Sequence, residues 1–343
     1  DVLRLHATCL HYTRQFANSL SYTGRYLAMN NTNAAVSFLN EALFMHAENQ
    51  YLVTPPLMDA ALQTYRDFLR LFPRDPNADT ATLRIAQVLY KKGDLPETLK
   101  TITPLAKKDL KGKAFNQVKF IAGDAHFRTE AWAESVTNLS LFVSSLTPAE
   151  PNYDTALMEM GLAVQKLGKP EIAMIHLNAL VSSCPKSDHM PMALSELGRL
   201  YYEAKQYPQA KGHLQRLSGS YSNAPERVAG EYYLGWITLN EQQGSEAERV
   251  FTASQHFGYV VRTGPSDPLC ADSLLQLGLI NLKATKYQEA YTRMTELLSR
   301  FPKFEKNDEA LYSAGVALAR QDQWAAAVAN CFQPFTNRFA QSE

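Results

Sequence analysis

The stretch LLQLGLINLKATKYQEAYTRMTELLSRFPK, residues 274–303, places three informative residues inside a helical apolar pattern. Gly278, Ala290 and Pro302 follow one another at intervals of twelve, and the apolar residues around them recur three and four positions apart. Glycine inside a helix costs about 1 kcal/mol relative to alanine, so we expect a close packing contact at Gly278. Pro302 predicts the end of the second helix, because proline lacks an N–H and restricts its predecessor. The stretch therefore predicts a helical hairpin with a short polar turn.

The same small residues recur along the chain. The glycine position steps by 37 or 38 residues, except for one step of 43 between Gly235 and Gly278. This repetition in one register predicts a repeat protein. We expect the small residue on each helix to let the two helices of a hairpin approach closely. The first set is Ala86, Gly123, Gly161, Gly198, Gly235, Gly278 and Gly315, and the second is Ala61, Thr98, Ser135, Ala173, Ala210, Ala247, Ala290 and Ala327.

The repeats predict four segments. Residues 1–78 form degenerate N-terminal hairpins, 79–258 a regular array, 259–270 an inserted loop and 271–343 the C-terminal hairpins. The long step leaves six extra residues, which we place in HFGYVVRTGPSDPLCAD, residues 256–272, because its glycines and prolines are typical of a loop. Such an insertion either contributes to a binding face or is a tolerated surface loop, and the sequence favours neither.

Composition argues against several classes of protein. Thirty-four basic residues balance 34 acidic ones, which disfavours nucleic-acid binding. The cysteines at 9, 184, 270 and 331 form no C-x-x-C pair, so we expect single, mostly buried thiols and no metal site. No stretch approaches the ~18–20 apolar residues of a membrane span, although peripheral membrane association stays open.

The repeat resembles the tetratricopeptide repeat family. The residues that carry the resemblance are Leu274, Leu277, Gly278, Tyr287, Ala290, Met294, Leu297 and Pro302. It implies an all-α, right-handed superhelical solenoid of about nine hairpins, here with a step near 37 residues. The long step and unit ends such as RFPKFEKNDEAL, residues 300–311, resemble the bacterial envelope branch, which includes the outer-membrane assembly lipoprotein and the Tol-Pal coordinator protein. That branch implies a periplasmic or envelope location in preference to the cytoplasm.

The resemblance also implies a binding groove. In the family the first helices of the hairpins line a concave groove, at positions three before and one and four after the glycine. Only Arg199 is cationic among the residues placed there, so we expect no clamp for a C-terminal carboxylate. An apolar groove suits protein or peptide partners, unless superhelical twist buries much of it. The predicted groove residues are Tyr90, Phe120, Phe127, Met158, Leu162, Arg199, Tyr202, Tyr232, Trp236, Leu275, Leu279 and Tyr312.

No catalytic or cofactor-binding motif occurs in the sequence, so we expect neither enzyme activity nor a cofactor. The leading hypothesis is a non-enzymatic scaffold within a larger envelope complex. One alternative is a structural subunit that associates end to end into homo-oligomers, because Trp324, Phe332, Phe335 and Phe339 leave the last unit apolar. Another is the non-catalytic subunit of an enzyme complex.

Overall fold

The chain folds entirely into helices over the part that the structure describes. This computed structural model describes residues 2–30 and 38–339. Residues 1, 31–37 and 340–343, which belong to the predicted N-terminal and C-terminal hairpins, lie outside it. The all-α prediction is confirmed, with no strand among the described residues. The chain divides into two compact units, residues 1–176 and residues 177–343.

Unit 1 is a series of helical hairpins. Each helix from α1 to α8 packs against the next helix along the chain. The odd-numbered helices also contact one another: α5 contacts α7, and α7 contacts α9. The helices are α1 Val2–Tyr12, α2 Phe16–Asn30, α3 Leu39–Leu52, α4 Met58–Leu71, α5 Ala78–Lys92, α6 Leu95–Ala106, α7 Gly112–Arg128, α8 Trp132–Ser144, α9 Tyr153–Lys166 and α10 Pro170–Ser183, in which the unit boundary falls.

Unit 2 repeats the arrangement, with contacts between α11 and α13, α13 and α15, and α15 and α17. Its last helical segment, from Trp324 to Arg338, contains a π-helical turn over Val328–Phe332. The helices are α11 Met190–Glu203, α12 Tyr207–Ser220, α13 Arg227–Asn240, α14 Glu246–Thr263, α15 Leu269–Lys283, α16 Tyr287–Arg300, α17 Asn307–Ala319, α18 Trp324–Ala327 and α19 Gln333–Arg338.

Seven of the turns inside the hairpins share one backbone geometry. Each contains a residue with positive φ. The next residue donates its N–H to the carbonyl of the residue five positions before it; Gln206 N, for example, donates to Tyr201 O at 2.8 Å. Such a left-handed residue ends a helix by satisfying its last carbonyls. Glycine is not required there, since the positions are Arg14, Gly93, Glu130, Gly168, Lys205, Thr285 and Asp322.

The glycines of the repeating register, here called register glycines, accept a large side chain from the partner helix. A Cβ at Gly198 would overlap the side chain of Leu214, and a Cβ at Gly235 would lie 2.8 Å from the ring of Phe257. The glycine therefore faces a large side chain of the partner helix and not its second small residue. The second small position is buried as well, but the side chain four residues after it fills the space over the glycine.

The position of the inserted residues also differs from the prediction. Helix α14 continues to Thr263, so residues 259–263 are helical and not part of a loop. Ala247 is exposed, whereas Ala253 is fully buried and precedes Phe257 by the same four residues that separate Ala210 from Leu214. Ala253, not Ala247, is therefore the equivalent of Ala210. The six extra residues lie between Gly235 and Ala253.

The extra residues lengthen the connection between α13 and α14 and add about one turn to the start of α14. Residues 241–245 connect α13 to α14, whereas 204–206 connect α11 to α12. Helix α14 then begins about one turn early, at a capping box in which Glu248 N donates to Ser245 Oγ (3.2 Å) and Ser245 N donates to Glu248 Oε2 (2.9 Å). This serine-to-glutamate spacing is a signal for a helix start. It is present in the sequence and indicates the true boundary.

We expect Gly198→Ala to lower the free energy of unfolding by up to roughly 2 kcal/mol. Overpacking against the buried Leu214 costs about 1–3 kcal/mol, and the better helix propensity of alanine offsets about 1 kcal/mol of it. The matched control is Gly212→Ala in α12, where nothing lies within 4 Å of an added Cβ, so stability should rise by about 0.5–1 kcal/mol. Urea unfolding followed by circular dichroism measures both. Equal shifts would contradict the packing role of Gly198.

We expect Ala253→Leu to be destabilising by about 1–3 kcal/mol because its site is filled. Ala247→Leu, at an exposed position of the same helix, should change stability by no more than about 0.5 kcal/mol. Thermal unfolding of the two variants compares them directly. The reverse order would favour Ala247 as the equivalent of Ala210.

Candidate functional site

The odd-numbered helices form a surface in each unit, here called the odd-helix face. In unit 1 the predicted residues divide into three groups. Tyr90 and Phe120 line one pocket, Phe127 and Leu162 are half-buried, and Met158 is 2% exposed. The Phe127 ring packs edge-on against Trp132 with centroids 5.4 Å apart. Met158 is thus a core residue, and its assignment to a groove is wrong.

The unit 1 pocket has a volume of about 380 Å³. It lies between the C-terminal half of α5 and the N-terminal half of α7, and residues 150–152 close one side. This volume is within the range of ligand pockets, about 300–1,000 Å³. Apolar side chains form much of its lining, among them Tyr90, Phe120, Ile121, Phe142 and Leu146.

A chain of hydrogen bonds borders this pocket. Arg84 pairs with Glu48 through two bonds of 2.8 and 3.0 Å, and Nη1 of Arg84 donates to Gln87 Oε1 at 3.1 Å. The amide of Gln87 then donates to Gln117 Oε1 at 3.1 Å. Glu48 also accepts a 2.5 Å hydrogen bond from the buried Tyr65, so its carboxylate is fully engaged. These contacts hold the polar side of the pocket in place.

Two buried carboxyl groups lie farther along the same face. Asp124 is 7% exposed and Glu159 is 8% exposed, and Arg128 Nη1 lies 3.7 Å from Asp124. Burial raises the pKa of Glu159 to about 9, with a further contribution from its hydrogen bond to Asp124 and the charge of that residue. Burial and the same neighbour also raise the pKa of Tyr90. Glu159 is therefore protonated at neutral pH.

In unit 2 the structure brings together three of the predicted aromatic residues. Tyr202 packs against Tyr233 with centroids 5.2 Å apart, and Tyr233 packs against Tyr232 at the same distance. Trp236 packs edge-on against Phe257 at 5.9 Å. We call Tyr202, Tyr232, Tyr233 and Trp236 the unit 2 aromatic cluster. All four are half-buried, so each keeps part of its ring accessible.

Hydrogen bonds and ion pairs orient this cluster. The Tyr232 hydroxyl donates to Asp272 Oδ2 at 2.9 Å, and Lys306 Nζ lies 3.3 Å from the other oxygen of Asp272. Burial and the negative charge of Asp272 raise the pKa of Tyr232. Arg199, the predicted cation, is held by Glu196 and Glu203 at 2.7 and 2.6 Å. Its charge is thereby neutralised within its own helix.

The remaining predictions in unit 2 differ in outcome. Leu275 is fully buried, so it cannot contact a partner and its assignment is wrong. Leu279 is half-buried, and Tyr312 is 53% exposed. In the last helical segment Trp324 is 61% exposed, whereas Phe332, Phe335 and Phe339 are partly buried against the core. End-to-end association through this segment stays a prediction.

Sequence reasoning missed Tyr51, Lys91, Lys113 and Gln117, which all line the unit 1 pocket. The three positions taken from the resemblance do not include them. Tyr51 lies in α3, in the degenerate segment without a register glycine. A signal was nonetheless present, because Lys113 closes the basic run KKDLKGK at residues 107–113.

Other kinds of site find no support in the part of the chain that the structure describes. No three His, Cys, Asp or Glu side chains there are grouped to hold a metal ion. Within the same residues, no helix is both long enough and apolar enough to cross a bilayer. Cys184, Cys270 and Cys331 are buried and Cys9 is exposed, which agrees with the expectation of mostly buried thiols.

Two family models match part of the chain. Profiles of the tetratricopeptide repeat match residues 192–224 and 275–331. The chain contains tetratricopeptide repeats. Both matches lie in unit 2 and cover the hairpin α11–α12 and the helices from α15 to the last segment. No curated protein matches the chain in sequence.

Three solved structures are similar to the chain. The C-terminal part of a repeat-containing protein from Cytophaga hutchinsonii aligns with a TM-score of 0.55 at 15% identity, over 78% of this chain and 99% of that one. PilF from Pseudomonas aeruginosa aligns at 0.49 with 15% identity, over 66% and 93% of the two chains. PilW, a type IV pilus biogenesis factor, aligns at 0.46 with 16% identity, over 69% and 100%. At these identities the first likeness shows the fold alone.

The raised pKa of Glu159 predicts a pH-dependent stability. Between the unfolded value near 4.5 and the folded value near 9, the folded chain holds a proton that the unfolded chain has released. The free energy of unfolding should therefore fall as pH rises through this window. Glu159→Gln, which keeps the shape of the protonated acid, should remove that decline and be more stable than the natural chain at about pH 8.

Urea unfolding at about pH 5 and pH 8 measures the difference. Glu171→Gln, an exposed position in α10, serves as control and should follow the natural chain. Parallel pH profiles for the natural chain and Glu159→Gln would show that Glu159 is ionised in the folded protein.

Proposed function

We propose that this protein is a non-catalytic scaffold that binds protein partners on its odd-helix faces. Stacked helical repeats present extended surfaces suited to proteins and peptides. The observation that carries the proposal is the unit 2 aromatic cluster, in which Tyr202, Tyr232 and Trp236 remain partly accessible at the surface. Large aromatic side chains supply much contact area with few rotatable bonds, which is why they dominate binding energy at interfaces.

The contacts of the cluster favour partner binding over a purely structural role. Tyr232 is held by Asp272 and Trp236 by Phe257, so both rings are fixed before a partner arrives. Rigid anchors lose little conformational freedom on binding, and this preorganisation increases affinity. The engaged Arg199 leaves the surface of the cluster without a free cation at the predicted position. Apolar and aromatic partner residues therefore match it best.

An envelope location is the finer part of the proposal. It is supported by the long repeat step and by unit ends such as Phe301-Pro302, which resemble the envelope branch of the family. In that setting the protein is a component of a larger envelope complex. Fractionation of the cells that make the protein tests this part.

The double variant Tyr232→Ala/Trp236→Ala should lose a protein partner that the natural chain retains. Affinity capture from the cells that make the protein, followed by mass spectrometry, measures this loss. Phe251→Ala is the matched control, because Phe251 is 66% exposed on the even-numbered helix α14 and its removal should leave the partner bound. Circular dichroism must show all three chains equally folded. An unchanged set of partners on the double variant would contradict the proposal.

A further inference from the structure

We propose that the unit 1 pocket binds an acidic peptide segment of a partner protein, with an aliphatic or aromatic residue inserted into the pocket and carboxylates beside it. The inference rests on the proposed function and specifies one site and its ligand chemistry. It concerns residues separate from the unit 2 aromatic cluster. Three observations carry it: the direction of the hydrogen bonds, the two lysines and the apolar lining.

The hydrogen-bond direction is fixed by Arg84. A guanidinium group can only donate, so the atom of Gln87 that faces Arg84 Nη1 at 3.1 Å must be the amide oxygen. The NH₂ group of Gln87 then faces Gln117 and donates to its oxygen at 3.1 Å. The NH₂ group of Gln117 is left as the outer end of the chain of hydrogen bonds. This end of the pocket therefore offers a hydrogen-bond donor to an acceptor on a ligand.

Two lysines add donors of the same kind. Lys91 Nζ lies 3.3 Å from the Tyr51 hydroxyl and 5.0 Å from the centre of its ring, which holds the ammonium group at the pocket. Lys113 is exposed and makes no ion pair with any described residue. Neither ammonium has a carboxylate partner among those residues. Glu150 is the one acidic side chain that the structure describes in the lining. Positive charge thus exceeds negative charge around the pocket.

The apolar lining accounts for the anchor. Phe120 and Phe142 pack with centroids 5.2 Å apart, and Leu146 adjoins them at the end of α8. A volume of about 380 Å³ accommodates a side chain the size of Leu or Phe together with part of its main chain. Main-chain carbonyls are further acceptors for Gln117. An acidic segment with one apolar anchor supplies acceptors for these donors and an apolar side chain for the apolar lining.

Three synthetic peptides of about ten residues test the proposal. The first carries a Phe-Leu pair flanked by Glu and Asp, the second the same pair flanked by Lys, and the third the acidic flanks with Ser in place of the pair. Fluorescence anisotropy with the full chain measures their dissociation constants at low and high salt. We expect the first peptide to bind at least about tenfold more tightly than either of the others, and to weaken as salt increases.

Lys91→Gln/Lys113→Gln should weaken the first peptide by about three- to tenfold and reduce its salt dependence. Lys166→Gln/Lys169→Gln removes the same charge from exposed positions of unit 1 and should leave the binding unchanged. Phe120→Ala should weaken the first peptide and leave the third unaffected.

Absent binding, equal binding of acidic and basic peptides, or equal effects of the two lysine pairs would overturn the inference. These outcomes are distinct from a failure of the proposed function. That function depends on the partner lost with Tyr232→Ala/Trp236→Ala in unit 2, and neither variant set alters the residues of the other.

Discussion

The contact between a register glycine and the large side chain opposite it determines how closely the two helices of each hairpin approach. Leu139 lies over Gly123, Phe257 over Gly235 and Met294 over Gly278. Because the space exists only while the position lacks a Cβ, the glycine carries its helix-propensity cost in each hairpin that has one. In α5 the position is occupied by Ala86. The large residue differs between these hairpins, while its place four residues after the buried small residue is kept. In the last hairpin, which contains the π-helical turn, Phe332 lies over Gly315 and follows Ala327 by five residues. The position of each odd-numbered helix relative to its partner helix depends on this contact, and so does the position of the side chains on its surface.

Much of the fold follows from the sequence because glycine and the second small residue recur in one register. Ala210, Ala290 and Ala327 were assigned correctly by spacing alone and are buried. Ala247 satisfied the same spacing but lies at an exposed position near the start of α14. Residue spacing alone does not show whether an insertion has shifted the buried position along the helix. The capping box at Ser245 does, because it indicates where the helix begins.

The residues of the candidate site were harder to predict from the sequence than the fold. The positions implied by the family resemblance include Tyr90, Phe120, Tyr232 and Trp236, which keep part of their surface exposed. They also include Met158 and Leu275, which are buried. Burial of an odd-helix residue depends on the side chains of the adjacent hairpins, and these differ from one repeat to the next. Lys91 and Tyr51 come together although 40 residues separate them, through a contact that no spacing within one hairpin encodes.

The early start of α14 shows how such a repeat can change length without loss of its core. An α-helix completes a turn in 3.6 residues, so four added residues rotate the remainder of the helix by only about 40°. Phe257 therefore still reaches Gly235 after the addition. One or two residues added within the helix would rotate the buried face out of the core. Four of the six extra residues thus add about one turn to the start of α14 and the other two lengthen the connection before it, which together account for a step of 43 among steps of 37 or 38.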